Sequence, residues 1–305
     1  MRALKIGLGV LAGLLVLAGA GWLWLTAAEA PPGRSEFPLD VAEIRRLAGS
    51  LPGPAPLRVN SELVAEATLP RAAVFAGESF EPQRMVHHAF QIVFPDRFLI
   101  LDAGFDRAMH QEMDGGLPYH PQGWERVQAA LGRAAMIFIT HEHGDHLQGI
   151  ARHPPPEALV GRLRLTREQL ANTERLDQVA MPAVLRETEP LVYETYLAVA
   201  HGVVLIKAAG HTPGSQIVYV RTQDGRERLF IGDVAWHMDA IRNLHYRPRL
   251  VTDFFLGEDR RAVLHQLRAL HDLAGSHPEV QIVVSHDPQQ REALLESGAL
   301  GPRFE

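Results

Sequence analysis

The sequence predicts an α+β protein: two packed, mixed β-sheets with helices on their outer faces, preceded by a hydrophobic N-terminal helix. Three observations predict it. Short apolar, β-rich runs outnumber helical ones after residue 57, and the helical segments fall between groups of strands. At 305 residues and 46% hydrophobic content, the chain has enough apolar material for one enzyme-sized core. Finally, Ile6 to Ala28 is a 23-residue run without a charge.

That run is long enough to cross a hydrocarbon core of about 30 Å as a helix. Arg2 and Lys5 precede it, and Trp22 and Trp24 lie near its far end, where amphipathic rings favour the membrane interface. The reading is a transmembrane anchor over residues 1–28 with the bulk of the chain outside the cytoplasm, periplasmic or extracellular. The alternative is a signal peptide cleaved near "AEA" (Ala28 to Ala30), which releases a secreted protein on the same side. Residues 29–57 read as a linker, rich in Pro and Gly at both ends, with a short helix over Leu39 to Ala48. The remaining domain covers residues 58–305.

Within that domain, "MVHHAFQIVF" and "RFLILDAG" read as a hairpin turned by Pro95 and Asp96. "GWERVQAALGR" is helical, and "AAMIFIT" is a buried strand. "TREQLANTERL" reads as one helix capped by Thr166. "YLAVAHGVVLIKAAG" holds one or two strands, and "SQIVYVRT" with "ERLFIGD" makes a second hairpin around "QDGR". "GEDRRAVLHQLRALHDLAG" has an acidic start and a Gly stop, the pattern of a well-delimited helix. "EVQIVVSHD" is a last buried strand and "PQQREALLESG" a last helix.

Composition narrows the chemistry. A net charge of −6 argues against a nucleic-acid surface, which needs clustered Lys and Arg. With no cysteine, disulfides, thiolate metal sites and Cys nucleophiles are excluded. A metal site must then be built from imidazole and carboxylate, and 16 histidines make one feasible.

The stretch "ITHEHGDHLQGI" supplies the pattern H-x-H-x-D-H at the end of the "AAMIFIT" strand. His141 and His143 lie two apart and project to one side, so they can grip one cation together. Asp145 and His146 lie beyond a turn at Gly144 and can reach a second. Zinc accepts this ligand chemistry, as do Mn, Fe and Co. Three further candidates each follow a strand and a small residue: His211 in "AAGHTPGS", Asp233 in "LFIGDVAW" and His286 in "VVSHDP".

These motifs, together with "LDAG" (Asp102, Gly104), resemble those of the metallo-β-lactamase superfamily, whose fold is an αββα sandwich with a metal site between the ends of its sheets. The resemblance runs from about Arg58 to the last helix. It implies that His141, His143 and His211 hold one metal ion, that Asp145, His146 and His286 hold a second, and that Asp233 bridges them, the pair being zinc in the first instance. Asp102 is then structural. It further implies a hydrolase in which the two cations share a water and lower its pKa, while Asp145 orients it and takes its proton. The bond cleaved is an ester, a lactone or a related bond in a small molecule. The alternatives are a phosphodiesterase, a β-lactamase-type amide hydrolase, or a non-catalytic binding relative.

Among branches of that superfamily, the chain is most similar in motif to the dizinc lactonases. They carry a Tyr three residues after the bridging Asp; here Trp236 stands in that place. Trp236 and the adjacent His237 are therefore the candidate substrate contacts, His237 as a proton donor. His87 and His88, adjacent in a strand, read as structural. "LPYHPQGW" reads as a loop that either packs simply or rims the site, and "NLHYRPRL" as a loop that is either solvated or lines the pocket with Arg247 and Arg249.

Overall fold

A computed structural model describes residues 2–305. Two sheets stand face to face. The first is ordered β1 (Arg58–Pro70), β2 (Pro82–Val93), β3 (Phe98–Leu101), β4 (Met136–Phe138); the second is β5 (Tyr196–Ala200), β6 (Val203–Lys207), β7 (Gln216–Arg221), β8 (Glu227–Phe230), β9 (Val280–Val283). Both are mixed, since β3/β4 and β8/β9 pair parallel and the other neighbours antiparallel.

Side chains in a strand alternate faces, and here both faces are covered, so the strands read as continuous apolar runs. Leu99, Leu101 and Phe138 point between the sheets and meet Val203, Leu205, Val218, Val220 and Phe230. Ile100 and Ile137 point outward, under Val127, Leu131, Leu147 and Ile150 of the helices Pro121–Leu131 and Gly144–Ala151. On the second sheet Val204, Ile206, Ile217 and Tyr219 face outward against the helices Val41–Ala48 and Arg260–Ser276. The four layers are helix, sheet, sheet, helix, as the sequence predicts.

Local chemistry sets most element boundaries. Asp40 caps the helix Val41–Ala48 by accepting from the Glu43 amide, so that helix starts two residues later than expected. Its Val41, Ile44 and Ala48 are buried on the second sheet. Residues 29–57 are therefore not a free linker throughout, because their second half belongs to the domain. The "TREQLANTERL" stretch is two helices rather than one: Thr166 and Gln169 form a reciprocal capping box for Arg167–Ala171, and a non-helical Asn172 separates it from Thr173–Gln178. The helix Arg260–Ser276 runs through Gly275 and stops only at His277.

Among the described residues one helix is long and apolar enough to cross a membrane, spanning Ile6–Thr26 with none of it buried. It leaves the domain at Glu29, which pairs with Arg249 and Arg260 at 2.5 and 2.7 Å.

Candidate metal centre

Strand direction explains where the donors meet. β6, β8 and β9 run the same way, so the segments after them, carrying His211, Asp233 and His286, leave one end of the second sheet. β3 and β4 likewise run together and deliver Asp102 and the His141–His146 stretch from the first sheet. The two ends face each other. His141, His143, His211 and Asp233 form one group of possible ligands, and Asp145, His146, Asp233 and His286 a second; within each, the ligand atoms lie within 4.8 Å of one another. All seven predicted positions are brought together, with Asp233 common to both groups.

Close backbone approach makes this possible. Gly232, immediately before Asp233, has φ +54, and a Cβ there would lie 2.8 Å from Thr140 Cβ; only glycine fits both constraints. Asp102 adopts φ +61 at the end of β3. Its carboxylate accepts from the Thr140 amide at 2.7 Å and lies 2.9 Å from His146 Nδ1. Glu142, between the first two histidines, is fully buried and ties the two sheets: it accepts from Thr212 Oγ1, Asn172 Nδ2 and the Gly214 amide at 2.7, 2.9 and 3.2 Å.

In the first group, His143 Nδ1 lies 3.1 Å from His141 Nε2 and 2.9 Å from His211 Nε2, and Asp233 Oδ2 is 3.4 Å from His211 Nε2. In the second, Asp233 Oδ1 is 3.1 Å from His286 Nε2 and 3.4 Å from His146 Nε2. Asp145 Oδ2 is 3.4 Å from His146 Nε2 and 3.6 Å from His286 Nε2. The outward-facing nitrogens are fixed: His286 Nδ1 against the Val86 carbonyl at 2.9 Å, and His211 Nδ1 against Glu258 Oε1 at 2.5 Å. Such partners set the tautomer and leave the inner nitrogen bare.

The electrostatics match. Burial, followed by the neighbouring imidazoles, presses His141 well below the ordinary histidine pKa, and burial does the same to His143. Both are neutral and have lone pairs to give. Burial also opposes ionisation of Asp145 and Asp233, but the surrounding histidines outweigh it and hold both carboxyls well below their usual range. Burial opposes protonation of His146 and His211, but Asp145, Asp102 and Asp233 raise the His146 pKa, and Asp233 and Glu258 that of His211, so each holds a proton that a bound cation would displace. His146 Nε2 is buried with no hydrogen-bond partner, as is His143 Nε2. An orphaned buried nitrogen costs stability, and ionised carboxylates clustered around such nitrogens form a donor set that divalent cations satisfy. The residues fit a metal pair.

Other positions differ from expectation. The Trp236 indole N–H donates to Asp233 Oδ2 at 2.7 Å, so its polar atom serves the carboxylate shared by both groups while Trp236 lines the cavity. His237 is buried beside Phe75, with Nε2 3.2 Å from Met85 Sδ, and is not among the cavity-lining residues. Arg247 is neither solvated nor cavity-lining. It is buried behind the site, stacks on Trp236 at 4.4 Å, and donates to the Asp233 carbonyl and to Glu258 Oε1 at 2.9 and 2.7 Å. "LPYHPQGW" does not rim the site: Tyr119 and Trp124 pack against the first sheet's outer core.

Two residues join the site unannounced. Glu258, fully buried, braces His211 and accepts from Arg247 and Tyr246. His87 lines the cavity with Nδ1 3.3 Å from Asp145 Oδ2. Both residues of the His87–His88 pair are buried: His88 turns to Ser61 Oγ at 2.9 Å, while His87 faces the donors. Strand alternation already predicts that one of the pair points inward, but the sequence does not say that the inward one meets Asp145.

Four of the donors, His143, Asp145, Asp233 and His286, line a cavity of about 360 Å³, within the range of small-molecule sites. Its walls are largely apolar, with Met85, Met109, Phe255 and Leu256 among them.

No protein-family model matches the sequence, and no curated protein matches it. Solved structures do. An N-acyl homoserine lactone hydrolase, with the product N-hexanoyl-L-homoserine at its catalytic metal centre, matches with a TM-score of 0.62 at 15% identity, covering 78% of this chain and 96% of that one. The dizinc quorum-quenching lactonase AidC matches with a TM-score of 0.55 at 15% identity, over 78% and 90% of the two chains. The hydrolase AbOPH, of the beta lactamase superfamily, matches with a TM-score of 0.51 at 15% identity, over 78% and 92%. With paired mixed sheets between helical layers and the donor cluster at one end of both, the chain has the metallo-β-lactamase fold.

Proposed function

We propose that the protein is a membrane-tethered hydrolase that binds two divalent metal ions, zinc in the first instance, and cleaves an ester or lactone bond of a small molecule on the non-cytoplasmic side. One observation carries the reading: five imidazoles and two ionised carboxylates converge at the base of an apolar-walled cavity that His143, Asp145, Asp233 and His286 line. When bound there, a cation pair supplies an acidified water and polarises a carbonyl oxygen.

The chain's own groups do the rest. Asp233 presents one oxygen to each donor group and keeps the two groups in register. Asp145 is ionised and opens on the cavity, so Oδ2 can accept a proton from an attacking water. His87 Nδ1, 3.3 Å away, is the group placed to receive that proton next. Burial lowers the His87 pKa, so its ring rests neutral and would readily release any proton passed to it. The methionine and leucine walls orient an apolar acyl portion and exclude bulk water. Among the described lining residues Arg175 is the one Lys or Arg, and Glu112 faces the same cavity. The apolar walls favour a substrate with an apolar acyl portion and a carbonyl; the phosphodiester remains the alternative, since a cation pair can itself meet that anion.

The test is metal quantification on the full chain in detergent, with hydrolysis assays on aryl esters, lactones, a phosphodiester and a β-lactam. The expected result is a metal pair per chain, ester or lactone turnover, and loss of that turnover on chelation. Undiminished turnover after the metal is stripped would overturn the reading.

A further inference from the structure

Phe254 and Phe255 are adjacent large apolar side chains left 66% and 73% exposed. Burying either ring would stabilise the protein, so an exposed pair of this kind marks an interaction surface. They lie on the turn Thr252–Leu256, which follows directly on Arg249–Val251. That place in the fold is specific. The Arg249 guanidinium stacks 5.0 Å from the Trp24 ring at the end of the apolar helix, and Glu29 just beyond is held by Arg249 and Arg260 together. Arg260 also donates to the Arg247 carbonyl and Thr252 Oγ1, both at 2.9 Å, which fixes the turn to the same anchor point. Phe254 and Phe255 stand five and six residues beyond Arg249, less than about 10 Å along a helical rise. In the other direction, Phe255 and Leu256 line the cavity floored by Asp145, Asp233 and His286.

We propose that the Phe254–Phe255 turn inserts into the interface of the leaflet from which the domain emerges, and that the cavity beside it draws its substrate from that leaflet. The substrate class is an amphiphilic ester or lactone, with its acyl chain among the lipids and its carbonyl at the His–Asp cluster. The occupant of the exposed pair is lipid because the pair is continuous with the membrane span: Trp24 belongs at headgroup level, and the turn is clamped beside it. The proposal rests on the tethered-hydrolase reading for its substrate and on the apolar helix for its orientation.

The absence of cysteine allows single-site labelling. The full chain, carrying an environment-sensitive fluorophore at Phe254→Cys, is reconstituted into phosphatidylcholine vesicles containing nitroxide-labelled lipid. The label is expected to shift blue and to be quenched, like one at Leu15→Cys within the helix. A label at Gln223→Cys, in the β7–β8 turn at the far end of the sheet, stays unquenched. Quenching at position 15 but not at 254 overturns the docking. Quenching at neither overturns the anchor it depends on. A blue shift at 254 without quenching means that protein covers the pair, and also overturns it. A second arm uses Phe254→Glu. Hydrolysis of a vesicle-embedded long-chain acyl ester should fall about tenfold, while that of a short-chain soluble ester stays within about twofold. Equal losses on both esters overturn delivery from the leaflet. If the parent protein hydrolyses neither these esters nor the corresponding long- and short-chain lactones, the hydrolase reading falls and the quenching result alone decides the docking.

Discussion

The two sheets supply the donor cluster in opposite ways. The first delivers four donors, His141, His143, Asp145 and His146, from one loop after β4. The second delivers three, His211, Asp233 and His286, one from the end of each of three strands. A single loop holds its donors largely through local backbone geometry. Three separate strand ends hold theirs only when the whole sheet is packed. The bracing follows the same division. His146 leans on Asp102, which also fixes the Thr140 amide of its own loop. His211 leans on Glu258, 47 residues away and itself locked to Arg247 and Tyr246. Damage on the first side should therefore stay local, whereas damage on the second should reach both metal positions and the stability of the domain.

The largest expected effect is at the residue both groups share. Asp233→Ala removes an oxygen from each group and should lower hydrolysis by at least about a thousandfold, the equivalent of roughly 4 kcal/mol at the transition state. It should also empty both metal positions. Asp145→Ala, on the first side, should silence hydrolysis comparably but leave the His141–His143–His211 position loaded. Metal-to-protein ratios for the two variants measure the difference, and identical ratios would break the comparison.

Next in size is the brace. Glu258→Gln should weaken metal affinity about 10–100-fold, as losses of outer ligand partners do, measured by chelator competition. It should also change the acid limb of stability. Burial raises the Glu258 carboxyl, but Arg247 and His211 outweigh it and hold the pKa below its ordinary 4.5. A carboxyl depressed on folding contributes stability in full above its unfolded value, and loses it as pH falls through the folded one. Metal-free wild-type protein should accordingly lose stability below about pH 4.5, more steeply than metal-free Glu258→Gln. Urea midpoints across that range are the measurement, and parallel limbs would remove Glu258 from the account.

The same division explains what was legible in the sequence. The central strands were readable because they are covered on both faces, which makes "FLIL" and "MIF" uninterrupted apolar runs. The His141–His146 loop was readable because its donors are contiguous, and His211, Asp233 and His286 because each follows a strand and a small residue. Glu258 was not. In "LGEDRR" it reads as the acidic start of the next helix, and nothing local ties it to a histidine so far upstream. Arg247 was misread for a related reason, since an arginine just before a proline in a polar stretch reads as surface until the fold places a buried carboxylate opposite it. The cross-sheet tie at Glu142 is a smaller case of the same kind. Glu142→Gln should cost about 1–3 kcal/mol, because its amide cannot accept from Thr212, Asn172 and Gly214 together. Denaturant unfolding would show it.

Trp236 carries the smallest effect and the finest test. Three residues after the shared Asp233, it stands where a direct contact with substrate was expected, and it does line the cavity. Yet its one polar hydrogen is spent on Asp233 Oδ2 at 2.7 Å, and Arg247 stacks behind the indole while donating to the Asp233 carbonyl. Indole N–H can donate but not accept, so this hydrogen bond favours the ionised carboxylate and fixes its rotation between the two donor groups. Trp236→Phe keeps an aromatic wall and deletes only the donor. The expected loss is about 0.5–1.5 kcal/mol, seen as metal affinity several-fold weaker, with little change in KM for an ester once metal is saturating. A raised KM with metal affinity intact would instead return Trp236 to a direct role on the substrate. In that event Asp233 would depend on the packing of the second sheet alone for its orientation.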